Sequence, residues 1–457
     1  MIKRVLIANR GEIAVRIIRA AHSLGIEAVQ AVSDADRDTM AADLADRVVV
    51  IGPASARDSY LNSDLVIHAA KVTGCDALHP GYGFLSERAK LAQGCENEGI
   101  IFVGPRAQVI DDLGDKLRAR AIAEKVGIPL VPGSGHVRTV SEARVAAEAL
   151  GLPVVMKASA GGGGRGMFVA REIDSIDEFF DRASNEALEA FGDGTLYLER
   201  YIENARHVEV QIAGDGKGNA IHFGERDCSV QRRYQKVVEE APCVLMSDTL
   251  RKSLHEAAVK LVSSLSYLNV GTVEFLFDVE RDAFYFIEVN TRIQVEHTVT
   301  EQITGIDLVQ LQFLIAGEEP HSLPSQSAIT INRHAIECRL NAEDPFNNFM
   351  PSPGVIQHWC APSGAGVRVD SHCRDGYLVP PYYDSMIGKL VITANDRDSA
   401  VQRLSAALED FKIEGLVTNI PLLRAIVDHK DFRDNSFNTK WLEQSMLPEF
   451  EQIQKEE

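Results

Sequence analysis

Residues 1–115 alternate short apolar runs with segments of helical period, and this rhythm constrains the fold more strongly than any other feature. Strands are predicted at 4–8 and 27–32. The helix between them, 12–24, carries its apolar residues on one stripe and ends at Gly25. The same patterns predict a helix at 61–73 and strands at 48–51, 77–79 and 100–103. Strands connected by helices form a parallel sheet that is covered on both faces. We therefore expect an N-terminal α/β domain.

Two turns in this domain differ in what they predict. The turn after the first strand reads Asn9-Arg10-Gly11-Glu12, which lacks the Gly-x-Gly-x-x-Gly fingerprint, so no dinucleotide is placed there. The turn at 79–87 follows a strand, and ligands of open α/β sheets bind at the carboxyl ends of strands. Its glycines allow close backbone approach, and Tyr82 offers a flat face. A ligand site and a tight turn with a packing tyrosine are equally compatible with this pattern.

Composition narrows the class of protein. A length of 457 residues predicts roughly three domains, and 45% hydrophobic with 25% charged residues is typical of a globular chain. A net charge of −19 argues against nonspecific binding to nucleic acid or anionic membranes. No apolar run is long enough for a membrane span or a signal peptide, so a cytoplasmic location is expected. The seven scattered cysteines form no Cys-x-x-Cys, so neither a disulfide framework nor a zinc site is predicted.

A glycine-rich stretch near the middle of the chain predicts phosphate binding. A strand leads into Lys157, and four glycines follow at 161–164, before Arg165. Successive backbone N–H groups in such a loop bind phosphate oxygens, and the lysine adds a point charge. The Gly-Lys-[Ser/Thr] of a Walker A motif is absent. We expect a mobile lid here, because a flexible linker, the alternative, rarely follows a buried strand or carries basic residues at both ends.

Two glutamates on a predicted hairpin indicate a metal site. Strands at 271–278 and 284–290 are separated by a short loop, and if Asp278 faces Phe284, then Glu274 faces Glu288. Like charges directly opposite each other are destabilising, and a divalent cation between them would turn repulsion into attraction. Mg²⁺ usually takes one or two carboxylates plus phosphate oxygens. The alternative is two solvated glutamates on an exposed sheet face.

Many polar and charged residues lie at the end of this hairpin and in a basic stretch that precedes it in the chain. The stretch 288–297 holds two carboxylates, two amides, a guanidinium and an imidazole within ten residues. The most basic stretch of the chain, 225–236, is predicted to bind an anion, and the alternative is a set of surface salt bridges with Glu225, Glu239 and Glu240.

The remaining elements are predicted from residue periodicity. An edge strand is predicted at 196–202, and helices are predicted at 247–268, 307–316 and 400–413. Strands are expected at 333–339 and 367–371, and the polar end of the chain is expected to fray.

These residues together resemble the ATP-grasp domain of biotin carboxylase. The resemblance rests on Met156-Lys157-Ala158 with its glycines, on Glu288-Val289-Asn290-Thr291-Arg292, on Gln294-Val295-Glu296-His297, and on Gln231-Arg232-Arg233 with Glu337-Cys338-Arg339. It extends over essentially the whole chain, from 7–14 to 384–389. It implies a multidomain α/β and α+β fold with an N-terminal Rossmann-like pre-ATP-grasp domain at 1–115 and a helical linker at 116–130. A lid subdomain at 131–203, a catalytic ATP-grasp subdomain at 204–327, a C-terminal biotin carboxylase domain at 328–446 and a tail at 447–457 complete the expected division.

The resemblance implies a reaction in two halves. ATP with Mg²⁺ or Mn²⁺ phosphorylates bicarbonate to carboxyphosphate, which then carboxylates N1′ of biotin. The chain has no Met-Lys-Met motif, so biotin is expected on a separate biotin carboxyl carrier protein, with a carboxyltransferase subunit as a second partner. A homodimer and membership of acetyl-CoA carboxylase, in fatty acid synthesis, are expected. The alternatives are the subunit of another acyl-CoA, pyruvate or urea-type carboxylase, a different ATP-grasp carboxylate–amine ligase, and a nucleotide-binding regulatory protein without catalysis.

The resemblance also assigns roles to individual residues. Expected to bind ATP are Lys116, Lys157, Gly162, Gly163, Gly164, Glu199, Arg200, Ile202, His207, Gln231 and Tyr234. Expected metal ligands are Glu274, Glu288 and Asn290. The bicarbonate site is expected at Lys236, Arg292, Gln294, Val295 and Glu296. Expected catalytic residues are Glu296 as the base, Arg339 as the group that stabilises the biotin enolate, and Lys236 with Arg292. Tyr82, Gly83 and Arg339 are expected to bind biotin.

The chain departs from the family pattern at two positions. Tyr234 stands where the family commonly has histidine, and a phenol donates a hydrogen bond without becoming a cation near neutral pH. We therefore expect catalysis with an altered affinity for ATP. Thr298 stands where the family often has proline, and the sequence assigns it no functional consequence.

Overall fold

The N-terminal part of the chain is a five-stranded parallel sheet with helices on both faces. The structure, a computed structural model, describes residues 2–158, 167–191, 193–319 and 322–456. The elements of this part are β1 (Arg4–Ile7), α1 (Gly11–Ser23), β2 (Glu27–Val32), α2 (Met40–Leu44), β3 (Arg47–Val50), α3 (Ser63–Val72), β4 (Ala77–His79), α4 (Ala89–Asn97), β5 (Ile101–Phe102) and α5 (Ala107–Gly114). The strand order is β3-β2-β1-β4-β5. Alternate residues of β1 enter different cores: Val5 packs with Ile13 of α1, and Leu6 packs with Val66 of α3. The prediction of an α/β domain is confirmed.

The next segment is a small sheet with its own core. Helix α6 (Lys116–Lys125) leads to β6 (Gly133–Val137), α7 (Val140–Leu150), β7 (Val154–Ala158), β8 (Phe168–Ala170), α8 (Ser175–Phe191) and β9 (Leu196–Arg200). The strand order is β6-β9-β7-β8, so the prediction of an edge strand at 196–202 was wrong. Strand β9 pairs with β6 and β7, and Leu196 and Leu198 are fully buried. Residue periodicity shows which face of a strand is buried and does not show whether its edges are paired.

An eight-stranded sheet carries the largest part of the predicted site. Its segment contains β10 (Ala205–Asp215), β11 (Ala220–Arg232), β12 (Gln235–Ala241), α9 (Asp248–Ser264), β13 (Leu268–Asp278), β14 (Ala283–Asn290), α10 (His297–Thr304) and α11 (Leu308–Ala316). The strand order is β14-β13-β10-β11-β12-β15-β22-β20, with β15 (His334–Asn341), β20 (Val367–Ser371) and β22 (Met386–Ala394) supplied by the last part of the chain. The sheet therefore continues across the predicted boundary at residue 328. This continuity brings β15, and with it Arg339, beside the ATP-grasp strands.

The remaining elements pack around the end of that sheet. They are β16 (Glu343–Asp344), β17 (Met350–Pro351), β18 (Gly354–Val355), β19 (His358–Cys360), β21 (Leu378–Val379), α12 (Arg397–Asp410), β23 (Lys412–Glu414), α13 (Ile420–Asp428), α14 (Lys430–Arg433), a π-helix (Leu442–Met446) and α15 (Leu447–Glu456). The last seven residues were predicted to fray, and in the structure α15 continues through them to Glu456, with Phe450 just before them in the core. The Phe450 ring stacks on Phe346 with centroids 4.8 Å apart. Within the described ranges, no helix is both long and apolar enough to cross a bilayer.

The hairpin of β13 and β14 contains a bulge that decides its register. Asp278 faces Ala283 rather than Phe284, so the register assumed from the sequence was wrong at the turn. A shift at Ile287 then moves the register by one residue, and Glu274 does face Glu288. A β-bulge of this kind places two residues against one and turns the strand locally. The two predicted metal ligands are thus opposite each other because the bulge compensates for a turn that is one residue shorter.

Candidate active site

The centre of the site is an ammonium group surrounded by three carboxylates. Lys236 Nζ of β12 lies 2.5 Å from Glu209 Oε2, 3.0 Å from Glu274 Oε1 and 2.6 Å from Glu296 Oε1. Burial disfavours the charged lysine, yet the surrounding carboxylates hold its pKa well above the ordinary value. The pKa of Glu274 is held well below its usual range, because Lys236 and His207 outweigh the cost of burial. Lys236 and Glu274 are therefore ionised at neutral pH.

Glu296 lies between two cations at the start of helix α10. Its Oε2 accepts a hydrogen bond from Arg339 Nη2 at 3.0 Å, while Oε1 faces Lys236. Burial alone would raise the pKa of this carboxyl, but Lys236, Arg339 and Arg226 lower it well below its usual range. An ionised carboxylate, 1% exposed, is thus held by a cation at each of its two oxygens.

Arg226 supports this cluster from within the sheet, and the sequence did not single it out. Its guanidinium is fully buried and donates to Glu209 Oε1 at 2.5 Å and to Gln294 Oε1 at 2.7 Å. Gln294 in turn donates from Nε2 to Glu274 Oε1 at 3.0 Å. The signal available in the sequence was the alternation of polar residues at 207, 209 and 211, which places Glu209 on the same sheet face as His207.

The predicted metal ligands differ in how far their oxygen atoms already bind other side chains of the protein. Glu274 Oε1 accepts from Asn290 Nδ2 at 2.8 Å, and Glu274 Oε2 lies 3.0 Å from His207 Nε2. The amide oxygen of Asn290 accepts from Arg292 Nη2 at 3.0 Å, so this side chain links a cation to an anion. The carboxylate of Glu288 is 34% exposed and lies 3.4 Å from Lys116 Nζ. Two opposed carboxylates, one of them open to a cavity, fit a hard divalent cation that also binds phosphate oxygens.

A cavity of about 370 Å³ opens beside this pair. Its wall contains Glu288, Asn290 and Lys116 together with Gly83, Glu87 and Arg88. Glu87 also binds Arg292, whose Nε lies 3.1 Å from Glu87 Oε2. The turn that the sequence placed beyond the carboxyl end of β4 therefore does border the site.

Part of the predicted nucleotide site lies on the small sheet and on α6, while His207, Gln231 and Tyr234 belong to the large sheet and its hairpin. Lys157 Nζ of β7 is 2.5 Å from Glu199 Oε2, and Arg120 Nη1, which the sequence did not indicate, is 2.6 Å from Glu199 Oε1. Ile202 is 5% exposed just after β9, where Arg200 N donates to Pro132 O at 2.8 Å. The glycine lid with Gly162, Gly163 and Gly164 lies outside the described residues. Lys157 and Glu199 thus form an ion pair. A nucleotide that binds Lys157 would have to break this ion pair or contact both residues.

The basic stretch 225–236 is divided between the active-site cluster and other contacts, and it does not form the surface salt bridges of the alternative interpretation. Lys236 and Arg226 enter the active-site cluster, whereas Arg232 packs its guanidinium 3.6 Å above the Phe349 ring. The expected acidic partners bind residues distant in sequence: Glu225 binds Arg251 and His255, Glu240 binds Arg397 and His334, and Glu239 binds Arg339. These pairings depend on the strand order, which the sequence did not show.

Tyr234 is at the tip of the β11–β12 hairpin. Its side chain is 62% exposed, and Arg233 and Tyr234 have φ angles of +48° and +65°. Both central residues of the two-residue turn are thus left-handed, as a type I′ turn requires. Gln231 precedes this tip on β11 and pairs with Lys236 across the hairpin.

The predicted biotin residues come from two parts of the chain, Tyr82 and Gly83 from the N-terminal domain and Arg339 from β15. The phenol of Tyr82 donates to Glu12, and the Tyr82 carbonyl accepts from Asn9 Nδ2 at 2.7 Å. Gly83 follows with φ +67°. On the other side of the site, Arg339 Nε donates to Glu239 Oε1 at 2.6 Å.

Lys389 links these groups to the bicarbonate residues and was not predicted. Its buried Nζ donates to the Val295 carbonyl at 2.7 Å and lies 3.4 Å from Glu12 Oε1. His297, which received no role from the sequence, is fully buried with Nδ1 2.7 Å from the Gln294 carbonyl. Burial and nearby cations, Lys389 first among them, hold the pKa of His297 well below its ordinary value, so it orients the loop as a neutral ring.

Comparison with known proteins decides the family. Residues 1–110 match the family model "Biotin carboxylase, N-terminal domain", 115–323 match "Carbamoyl-phosphate synthase L chain, ATP binding domain", and 337–444 match "Biotin carboxylase C-terminal domain". The chain is 49% identical to biotin carboxylase 1 of Bacillus subtilis over 444 residues, which are 97% of this chain and 98% of the relative. The chain belongs to the biotin carboxylase family.

Solved structures confirm the fold within this family. The structure resembles a Campylobacter jejuni biotin carboxylase–β,γ-ATP complex with a TM-score of 0.91 at 44% identity, covering 97% of this chain and 98% of the other. It also resembles the biotin carboxylase domain dimer of Hydrogenobacter thermophilus 2-oxoglutarate carboxylase, in complex with MgADP, ADP and bicarbonate. That match has a TM-score of 0.90 at 46% identity and covers 98% of each chain. Members of the family catalyse the ATP-dependent carboxylation of biotin.

Proposed function

We propose that this chain uses ATP to activate bicarbonate and transfers the carboxyl group to N1′ of biotin on a separate carrier protein. The observation that carries the proposal is the ionised Glu296 carboxylate, held at 2.6 Å by Lys236 and at 3.0 Å by Arg339. A base of this kind, next to cations that attract an anionic substrate, is the arrangement that deprotonation of bicarbonate requires.

The bicarbonate site is formed by Lys236, Arg292, Gln294, Val295 and Glu296. Bicarbonate is a poor electrophile until one of its oxygens becomes a phosphate leaving group. Glu296 accepts the bicarbonate proton while a bicarbonate oxygen attacks the γ-phosphorus and ADP leaves. Phosphoryl transfer needs alignment and charge neutralisation more than covalent catalysis, which accounts for the number of charged side chains in this small volume.

The nucleotide is held by residues on the small sheet and the large one. Lys116 and Lys157 bind phosphate oxygens with the glycine lid at 162–164, and His207, Gln231 and Tyr234 extend the contact surface. Glu199, Arg200 and Ile202 lie where the adenine binds. A divalent cation held by Glu274 and Glu288, with Asn290 beside them, neutralises charge on the phosphates. The support for this assignment is the opposed register of the two glutamates and the exposure of Glu288 to the cavity.

The biotin site is formed by Tyr82, Gly83 and Arg339. When N1′ of biotin loses its proton, negative charge develops on the ureido oxygen, and the Arg339 guanidinium stabilises that oxyanion. Glu239 holds Nε of Arg339 from behind, and Glu296 contacts its Nη2, so the guanidinium is oriented before biotin arrives.

The role of the chain in a larger enzyme is also a proposal. We assign it to acetyl-CoA carboxylase in the cytoplasm, as a homodimer that works with a biotin carboxyl carrier protein and a carboxyltransferase. The H. thermophilus relative, named as part of a 2-oxoglutarate carboxylase, is the main competing assignment. Purification of the tagged chain from its own cells distinguishes the two. Recovery of an acetyl-CoA carboxyltransferase supports the assignment, and recovery of a keto-acid carboxyltransferase contradicts it.

The test of the biochemical proposal is ATP cleavage by the purified chain. We expect ATP hydrolysis that depends on bicarbonate and increases with free biotin, with the label of ¹⁴C-bicarbonate appearing in carboxybiotin. Stimulation by an amino acid in place of biotin would indicate another ATP-grasp ligase. No ATP turnover under either condition would indicate a regulatory nucleotide-binding protein.

We expect Tyr234→His to change the KM for ATP with little change in kcat. The ring at the hairpin tip is 62% exposed, so the exchange should leave the free energy of unfolding within about 0.5 kcal/mol of the original. Imidazole gains a cationic form near neutral pH that attracts phosphate, whereas phenol does not. Steady-state kinetics between acid and neutral pH measure this. An unchanged KM for ATP across that range would remove Tyr234 from the nucleotide site.

A further inference from the structure

Two buried glutamates lie behind Arg339, and the proposed function uses only one of them, through the single oxygen of Glu239 that accepts from Arg339 Nε. Glu239 of β12 and Glu337 of β15 face each other directly in the antiparallel register, and both are fully buried. Directly opposed residues in such a pair have Cβ atoms about 5 Å apart. Two carboxylates this close cannot both be ionised in a buried site without a large cost, and one of them then keeps its proton.

In each of the two carboxyl groups, one oxygen accepts a hydrogen bond and the other has no partner among the described residues. Glu239 Oε1 accepts from Arg339 Nε at 2.6 Å, and Glu337 Oε2 accepts from the hydroxyl of Thr298. Among the described residues, Glu239 Oε2 and Glu337 Oε1 have no hydrogen-bond partner, although both atoms are buried. Two carboxylate oxygens are both acceptors and cannot bond to each other unless one carries a proton. A single proton between the glutamates would satisfy both orphaned atoms.

The charged surroundings favour one site for that proton. Glu239 faces Arg339 on β15, and Lys236 and Glu296 lie beyond that guanidinium. Glu337 faces Thr298 on α10 and the more distant Lys389 on β22, whose ammonium is bound by Glu12 and the Val295 carbonyl. Burial raises the pKa of Glu239 to about 7 and that of Glu337 to about 8, against the opposing effects of Arg339 and Lys389 respectively. The anion belongs on Glu239, which has the direct cationic partner.

We propose that Glu239 and Glu337 share one proton, with Glu337 as the protonated member and Glu239 as the anion that positions Arg339. Glu337 donates to Glu239 Oε2, which leaves Glu239 Oε1 for Arg339 Nε. Thr298, which departs from the family pattern, supplies the remaining hydrogen bond to Glu337. Both glutamates act through Arg339 and are positioning residues.

The shared proton sets the charge behind Arg339, and this consequence rests on the proposed function. With one proton present, the pair carries a single negative charge, and Arg339 Nη2 remains free to contact Glu296 and the biotin oxygen. Loss of the proton at alkaline pH adds a second negative charge on the same side of the guanidinium. Arg339 is then drawn away from the substrate, so carboxylation should decline as the pH rises through the pKa of the pair.

Infrared spectroscopy of the full chain tests the proton without using activity. A protonated carboxyl group has a C=O stretch that an ionised carboxylate lacks. We expect this band in the original protein near neutral pH, to weaken on alkaline titration, and to be reduced in Glu337→Gln. The matched control is Glu343→Gln, because Glu343 is a half-buried glutamate just beyond β15, and its band should equal that of the original protein. A wild-type spectrum in which no protonated-carboxyl band titrates would overturn the proposal, and this measurement needs no variant to fold.

Kinetics test the effect on Arg339. Glu337→Gln mimics a permanently protonated member, so it should carboxylate free biotin near neutral pH and lose the alkaline decline. Glu239→Gln removes the anion from Arg339 and should raise the KM for biotin and lower kcat/KM by about 10–100-fold at every pH. An alkaline decline in Glu337→Gln identical to that of the original protein would contradict the role at Arg339. If the original chain fails to carboxylate biotin at all, the proposed function fails instead, and the infrared result stands separately.

Discussion

Glu296→Gln is expected to lower bicarbonate-dependent ATP cleavage by about 10²–10⁴-fold, the range that a general base contributes. Glutamine keeps the volume of the side chain and can still contact Lys236 and Arg339, but it cannot accept the bicarbonate proton. ATP binding should be little changed, because the ion-pair partners of Glu296 are Lys236 and Arg339, which are not assigned to the nucleotide. Steady-state ATP cleavage with and without bicarbonate, and calorimetric titration with MgATP, measure the two effects separately.

The pH dependence of stability provides a second readout of the same exchange. The pKa of Glu296 is lower in the folded chain than in the unfolded chain, because Lys236 and Arg339 favour its ionised form against burial. Its stabilising contribution is therefore complete above the unfolded pKa and is lost as the pH falls through the folded pKa. The original protein and Glu296→Gln should thus differ most in free energy of unfolding near neutral pH and converge in acid. The control Glu343→Gln should follow the original protein, and full carboxylation by Glu296→Gln would remove the assigned base.

The opposed glutamates show how far local pattern can predict a site. Period-two alternation on two neighbouring runs identified the hairpin, and the facing of Glu274 and Glu288 followed from counting residues across the loop. The count was correct only because the bulge at Ile287 offsets a turn one residue shorter than assumed. Bulges leave no reliable mark in sequence, since any residue can be the unpaired one.

Contacts between strands distant in sequence were not predictable in the same way. Glu209 faces Glu274 because β10 pairs with β13, and Glu239 faces Glu337 because β12 pairs with β15. Hydrophobic period identifies a strand and its buried face, but strand order is decided by packing of the whole chain. For the same reason the partners of Glu225, Glu239 and Glu240 could not be read from the sequence, and the alternative of surface salt bridges with the basic stretch does not describe them. The resemblance to a family supplied the roles of Lys236 and Arg339, which residue spacing alone did not.

The second large effect concerns Lys236, whose ammonium is the common partner of three buried carboxylates. Glu209, Glu274 and Glu296 all contact Nζ within 3.0 Å. Removing one member of a buried ion pair leaves an uncompensated charge, which costs about 3–5 kcal/mol. These carboxylates also pair with Arg226, His207 and Arg339. The remaining cations would therefore neutralise part of the negative charge that Lys236 now neutralises.

Lys236→Met should therefore lower the free energy of unfolding by about 3–5 kcal/mol near neutral pH and abolish bicarbonate-dependent ATP cleavage. Without the ammonium, Glu274 and Glu296 lose the largest effect that lowers their pKa values, so both pKa values rise in the folded chain. The stability lost through the exchange is therefore smallest in acid, where these two carboxyl groups are protonated, and grows as the pH rises. Urea unfolding from acid to neutral pH measures the effect.

Lys236→Arg is the matched control, because it keeps the positive charge and should retain most of the stability. Its bulkier head group should still impair bicarbonate binding. Equal stability of Lys236→Met and Lys236→Arg at neutral pH would show that the three carboxylates do not depend on this charge.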